Sequence, residues 1–239
     1  MSTFNGGPQG IVTNGLVLYL DAANRDSYVS GSTAWNDLSR SRINGTLTNG
    51  PTFDNGNAGT IKFDGSNDYV AINNIQNVDF STGSFTISFY FKSDGLSHPY
   101  TYFQLGSGSY INFPDTSSGV SIGNGSTFDF VRAQVTDGAA TFRIATASWG
   151  VENFSLLTYV IDRNNNNSQL YKNAQSVGNL SLVGFGTCSI SKNIDIGRMG
   201  WINAYFLNGK MNNIQIYNRA LSATEVLQNY NSTKARFGL

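Results

Sequence analysis

Two glutamates, Glu152 and Glu225, and one histidine, His98, are the whole supply of their kinds in this chain, and that supply limits the reactions it could run. Hydrolysis of a glycosidic bond needs two carboxyl groups flanking the scissile bond, one protonating the leaving oxygen and the other attacking the sugar or activating water. Glu152 stands alone in the segment WGVENF. Glu225 lies three residues after Ser222 in an S-x-x-E pattern, where its carboxylate is expected to cap a helix. The aspartates offer no paired spacing on a strand; Asp162 and Asn164 come closest and run into a loop. Nucleophilic catalysis would need His98 as the base for a serine or for Cys188, the single cysteine, with a carboxylate behind it. His98-Pro99 reads instead as an exposed turn without a nucleophile elbow. The inventory predicts no catalytic residues and no enzyme.

Binding chemistry is better supplied. Asp64 and Asp68, four residues apart in DGSND, could offer calcium the hard oxygen ligands it takes, and so could Asp21, Asn24 and Asp26. The alternative is that Asp64 and Asp68 accept backbone N–H groups within their own turn. Sugar recognition asks for an aromatic face against the C–H side of the ring and amides for the hydroxyls. Trp149 with Asn153, and Trp201 with Asn203 and Tyr205, have that makeup next to glycines that signal loops. For each tryptophan, capping of the core is the competing role.

The elements that must position these groups read as strands. Phe85, Ile87, Phe89 and Phe91 alternate with Thr86, Ser88, Tyr90 and Lys92, which predicts a strand with a core face and a partly wet face. Further strands are expected at Gly15 to Leu20, Ile61 to Phe63, Tyr69 to Ile72, Tyr100 to Leu105, Tyr110 to Phe113, Val120 to Ile122, Phe128 to Val135 and Thr141 to Ala145. Phe154 to Ile161, Gln169 to Lys172, Ile194 to Met199 and Leu207 to Tyr217 follow, the last with a kink at Asn212-Asn213. Turns are marked by Asn44-Gly45, Asn49-Gly50 and Asn55-Gly56, because Asn and Gly tolerate positive φ. One helix is predicted from Ser222 to about Tyr230, with Leu221 and Val226 as its hydrophobic staple.

Composition suits a packed sandwich. Hydrophobic residues make up 40% of the 239 residues, whereas charged residues make up 13%, about half the usual share, so the surface must be largely Asn, Ser, Thr and Gly. Lys plus Arg and Asp plus Glu both number 15, which removes any global field for nucleic acid or an anionic membrane. A lone cysteine makes no internal disulfide and no cysteine zinc site, and reads as a small core residue. The N-terminus lacks the pattern of a signal peptide and no apolar run is long enough to span a bilayer, so folding in the cytoplasm without membrane insertion is expected. N-x-S/T sequons, among them Asn44, Asn124, Asn153, Asn179 and Asn231, are no more than chance allows in a chain so rich in Asn, Ser and Thr.

The stretch LNGKMNNIQIYNRALSATEVLQNY (207 to 230), together with GLVLYLDAANRDSY (15 to 28), AWNDLSRSRINGTLTNGPTF (34 to 53) and IKFDGSNDYVAI (61 to 72), resembles the LamG-like jelly rolls of the concanavalin A-like lectin and glucanase superfamily. The likeness also runs through TYVIDRNNNNSQLYKN (158 to 173), where Ala174 replaces the family's usual glycine, while residues 96–148 show none. The resemblance implies an all-β, two-sheet antiparallel jelly-roll sandwich with one short C-terminal helix, residues 14–239, preceded by a flexible arm, residues 1–13. Some relatives bind calcium at loop ends, which is the only cofactor implied. The terminal segments IVTNGLVLYLDAAN and NSTKARFGL look like those of bacteriophage structural proteins. The expected function is accordingly a non-enzymatic virion protein, a capsid decoration or tail adhesin, whose lectin-like domain binds host or environmental glycans. Its partners would be other virion proteins or further copies of itself. The alternatives are a free, extracellular carbohydrate-binding module and a glycoside hydrolase.

Overall fold

Short alternating segments punctuated by Asn and Gly must pair with neighbours to satisfy their backbone groups. A computed structural model describes residues 10–95, 100–106, 118–124, 131–146, 149–188, 190 and 192–239. Its first strands are β1 (Leu16–Leu20), β2 (Ala34–Trp35), β3 (Gly45–Thr48), β4 (Thr52–Asp54), β5 (Thr60–Asp64), β6 (Tyr69–Ile72), β7 (Phe85–Ser93) and β8 (Thr101–Gly106). Then come β9 (Ser118–Asn124), β10 (Val131–Asp137), β11 (Thr141–Thr146), β12 (Ser155–Asp162), β13 (Asn167–Lys172), β14 (Gln175–Ser181), β15 (Ile194–Ile196) and β16 (Asn208–Tyr217). Helix α1 (Ala223–Thr233) and a 3-10 turn (Lys234–Phe237) follow.

One sheet runs β14-β13-β12-β7-β16-β5-β4, with β1 also on β16, and the other runs β11-β10-β9-β8-β15-β6-β3-β2. The fold is the all-β jelly-roll sandwich that was expected, with antiparallel pairing in both sheets. The inner faces share one core, in which Phe89 of the first sheet lies parallel to Phe103 of the second at 6.2 Å between ring centres. Expectations for residues 1–9, for His98 and for a strand at Tyr110 to Phe113 lie outside the described residues. Strand β14 was not anticipated, because QSVGNLS is largely exposed and lacks an apolar alternation.

The kink at Asn212-Asn213 is present and has a purpose. Along one flank, β16 pairs with β5 through Asn208 to Met211 and with β1 through Ile214 to Tyr217, while β7 runs along the other flank. The register with β7 slips between Asn212 and Gln215, and Asn213 takes φ 54°. Asn212 is fully buried there. Its Oδ1 accepts from the N–H groups of Ala22 (2.7 Å) and Asn213 (2.6 Å), and its Nδ2 donates to the Gly59 carbonyl (2.7 Å). One side-chain amide therefore ties the end of β1 to the start of β5 where the two strands abut.

The second face of β7 is drier than its pattern suggests. Thr86, Ser88 and Tyr90 are buried, Thr86 against the Arg219–Leu221 segment and Tyr90 against the end of α1 and the turn after it, while Lys92 is half-buried. The Tyr90 hydroxyl meets Thr233 Oγ1 at 3.0 Å, and its ring stacks on Phe237 at 3.9 Å. Thr86 Oγ1 donates to the Arg219 carbonyl and accepts from the N–H of Leu221. The capping box forms as predicted, Leu221 and Val226 share a cluster, and the helix continues past Tyr230 to Thr233. Part of the presumed N-terminal arm is also held: Val12 is buried, its N–H bonds to Asn229 Oδ1 at 2.8 Å, and its carbonyl accepts from the Tyr217 hydroxyl at 3.0 Å. Gly10 is held as well, its carbonyl accepting from Gln228 Nε2 at 2.8 Å.

Of the three predicted Asn-Gly turns only Asn49-Gly50 takes positive φ at both residues, 67° and 107°; near Asn55-Gly56 the positive φ falls instead on Asn57, Ala58 and Gly59. At Asn44-Gly45 the positive φ belongs to Arg42, at 54°, while Gly45 starts β3 because a Cβ there would stand 2.8 Å from Val70 Cγ1. In the β13–β14 hairpin, Asn173 and Ala174 adopt φ 50° and 63°, so the two-residue turn survives without its glycine. An L side chain in that conformation costs about 1 kcal/mol. Ala174→Gly should thus raise stability by about 1 kcal/mol, read as a higher midpoint in urea. Asn212→Leu should have the opposite effect, lowering stability by about 3 kcal/mol in the same titration, because buried backbone groups at Ala22 and Gly59 lose their partners.

Candidate functional site

The carboxylates are committed to structure. Glu225 accepts from the Ser222 N–H at 2.9 Å and holds the Arg219 guanidinium through both oxygens, at 2.9 and 2.6 Å. That pairing, with the cap, holds its carboxyl down at about 2, far too low for a general acid near neutral pH. Glu152 is exposed in the turn before β12. Cys188 is buried, and burial pushes its thiol up to about 11.

The loops considered for calcium use their oxygens internally. Asp68, buried, accepts the Asp64 N–H at 3.1 Å through Oδ2, and Asp64 Oδ1 accepts the Ser66 N–H at 2.8 Å. Burial holds the Asp68 carboxyl above its ordinary range, which disfavours the charged form. Asp21 accepts from the Tyr19 hydroxyl, the Ala23 N–H and Arg236, and Asn24 Oδ1 accepts from the Asp26 N–H. Among the described residues no three His, Cys, Asp or Glu side chains gather as a metal site.

The two tryptophans part company. Trp149 is buried in the core: its Nε1 donates to Ser155 Oγ at 2.7 Å, its ring lies 6.0 Å from Phe91, and the Lys172 ammonium bonds its carbonyl. It has no face left for a sugar, and Asn153 beside it is exposed. Trp201, in contrast, is 52% exposed at the tip of a hairpin closed by mutual N–H to carbonyl bonds between Met199 and Ala204, at 2.8 and 3.3 Å. Ile202 beside it is also exposed.

That hairpin is firmly seated. The Gly200 N–H donates to Gln104 Oε1 at 2.7 Å, and the Tyr205 carbonyl accepts from the Thr101 N–H at 2.9 Å. A Cβ on Gly200 would fall 1.9 Å from Asp195 Oδ2, so a side chain there would have to push the carboxylate away from Arg198. Beneath the tip, the Arg198 guanidinium lies 3.4 Å above the Tyr69 ring, donates to Asp195 Oδ1 at 2.8 Å and to Asn203 Oδ1 at 2.9 Å. Asn203 itself is exposed, at φ 49°, and Tyr205 is half-buried at φ 55°. The arrangement offers an apolar platform and, next to it, a guanidinium, an amide and a carboxylate held in fixed orientation. Tyr69, Asp195 and Arg198 were missed from sequence; the i,i+3 spacing of Asp195 and Arg198 was the available signal.

The model of the concanavalin A-like lectin/glucanases superfamily matches residues 64–227. Among solved structures, the binding domain of Paraclostridial Mosquitocidal Protein 1 superposes with a TM-score of 0.71 at 19% identity, over 91% of this chain and 52% of that one. The receptor binding domain of botulinum neurotoxin C/D mosaic serotype gives 0.71 at 15% identity, over 92% and 51%. The botulinum neurotoxin serotype D ligand binding domain, in complex with N-acetylneuraminic acid, gives 0.71 at 14%, over 92% and 51%. The chain spans about half the length of these domains, and the likeness is one of fold. No curated protein matches its sequence.

If Glu225 is structural, its ionisation must support stability. The folded carboxyl titrates below its ordinary value of 4.5, so its contribution is complete above that value and is lost as pH falls toward about 2. Urea midpoints of the wild type and of Glu225→Gln should differ by a constant amount above about pH 5 and converge at lower pH. Parallel curves down to pH 2 would show that Glu225 is not tied to Arg219 in solution.

Proposed function

The chain belongs to the concanavalin A-like lectin/glucanases superfamily, and we propose that it is a non-enzymatic, lectin-like protein that holds glycans on the Trp201 hairpin. The half-exposed indole on a pinned loop carries this reading. A sugar presents a C–H face that gains by covering such a ring, and hydroxyls that the Asn203 amide and the Arg198 guanidinium beside it can bond. Neither glutamate is placed for acid–base work, which favours binding over cleavage. The N-acetylneuraminic acid in the neurotoxin complex belongs to that protein, about half of whose length has no counterpart here.

The setting we propose is a bacteriophage particle, with many copies of the chain displayed as a decoration or adhesin. The terminal segments that resemble phage structural proteins support it. The evenly balanced, sparsely charged composition offers little repulsion between copies. Weak single sites then gain by avidity, by about a hundredfold or more when several engage one surface.

Trp201→Ala should leave the melting temperature nearly unchanged, since the side chain is half in water, and should weaken retention on a glycan array by about tenfold or more. Equal retention of wild type and variant would remove the hairpin as the site. Mass spectrometry of purified particles should find the protein at high copy number. Its absence from particles, with glycan binding intact, would favour a free carbohydrate-binding module.

A further inference from the structure

On the same end of the second sheet lies a cavity of about 420 Å³ between the loop after β1 and the turn joining β3 to β4. Its apolar wall is the half-buried Phe53, backed by the buried Tyr28 and Pro51, with the two rings packed 5.7 Å apart. Its polar edge carries Thr33, Asn49 and Thr52, all exposed. Among the described residues that line it none is charged. The Asn49 Nδ2 donates to the Asn67 carbonyl at 2.9 Å, which fixes the amide and leaves Oδ1 free to accept.

We infer that this cavity is a second saccharide subsite, specific for an uncharged sugar unit. A pyranose ring has one face of C–H groups and an edge of hydroxyls that both donate and accept. The wall and edge of the cavity match those two surfaces, the threonine hydroxyls and the amide oxygen serving as partners. A carboxylate or phosphate would enter without a cation to meet it, so acidic units are disfavoured.

The register shows how the cavity relates to the hairpin. Val70 on β6 is opposed by Leu47 on β3 and by Ile196 on β15, and Tyr69 is opposed by Thr48, the residue before Asn49. Arg198, two residues beyond Ile196, lies over that same Tyr69. Asn49 and Arg198 are thus about two strand spacings apart on one rim, roughly 10 Å. The ligand is accordingly an oligosaccharide whose units reach from the indole to the cavity, a point that rests on the reading of Trp201 as a sugar platform.

The test is calorimetric titration with uncharged glucose- and galactose-based mono-, di- and tetrasaccharides, with sialyllactose as the charged comparator. The wild type should bind a tetrasaccharide about tenfold or more tightly than the matching disaccharide, a gain of about 1.4 kcal/mol. Thr33→Arg, which puts a long side chain at the mouth, and Asn49→Gly, which suits the φ of 67° while deleting the acceptor, should each abolish that gain yet keep disaccharide affinity. Unchanged length dependence in both variants, or no binding of any uncharged sugar by the wild type, overturns the subsite. Retained sialyllactose binding that Trp201→Ala removes would leave the hairpin reading standing when the subsite fails. Full binding in Trp201→Ala that Thr33→Arg removes would do the reverse.

Discussion

The jelly roll depends on one buried amide. Strand β16 has β7 along one flank, but its other flank must serve β5 and then β1, and two strands cannot abut in a ladder without leaving backbone groups unpaired at the junction. Asn212 resolves this by bonding Ala22 on one side and Gly59 on the other, while the bulge it starts turns Asn213 to positive φ and resets the register. An apolar residue would pack as well and leave those groups without partners in the core. The cost of burying an amide is met because its donors and acceptor are used at once.

Around that junction the polar residues form a connected interior. Gln215, Tyr217 and Asn229 bond one another, and Val12 closes the set from the N-terminal side. The helix is held to the sheet by these bonds as much as by Leu221 and Val226. Burial holds the Tyr217 hydroxyl above its ordinary range, against the Asn229 amide that pulls it down, consistent with a neutral phenol that donates and accepts in turn.

Much of this could be read in advance, and the misses have physical causes. Ser222 and Glu225 announced a helix start because capping is a local interaction, and Asn212-Asn213 announced a bulge because few residues accept its backbone. The polar face of β7 is wet only at Lys92, because alternation reports polarity, not exposure: Thr86, Ser88 and Tyr90 are polar and buried, Tyr90 against a helix more than a hundred residues away. Trp149 and Trp201 look alike in sequence, each beside a glycine, and only tertiary packing separates the one that fills the core from the one that leaves it. The Arg198 to Tyr69 contact joins residues distant along the chain, and nothing local signals it. Strand β14 was invisible because an exposed edge needs no apolar pattern.

The placement of β16 also sets the order in which the molecule can form. Its partners β1, β5 and β7 precede it by between about one hundred and two hundred residues, as in the pairing of Leu16 with Tyr217. Until the ribosome has delivered β16, β1 has no ladder to join and β5 and β7 each expose a flank. Closure of such distant loops is entropically slow, and unpaired edges invite association in the interval. The sandwich therefore cannot close before β16 is made, and its rate of folding is governed by a search over the roughly two hundred residues that separate Leu16 from Tyr217, with the central gap open until that search ends.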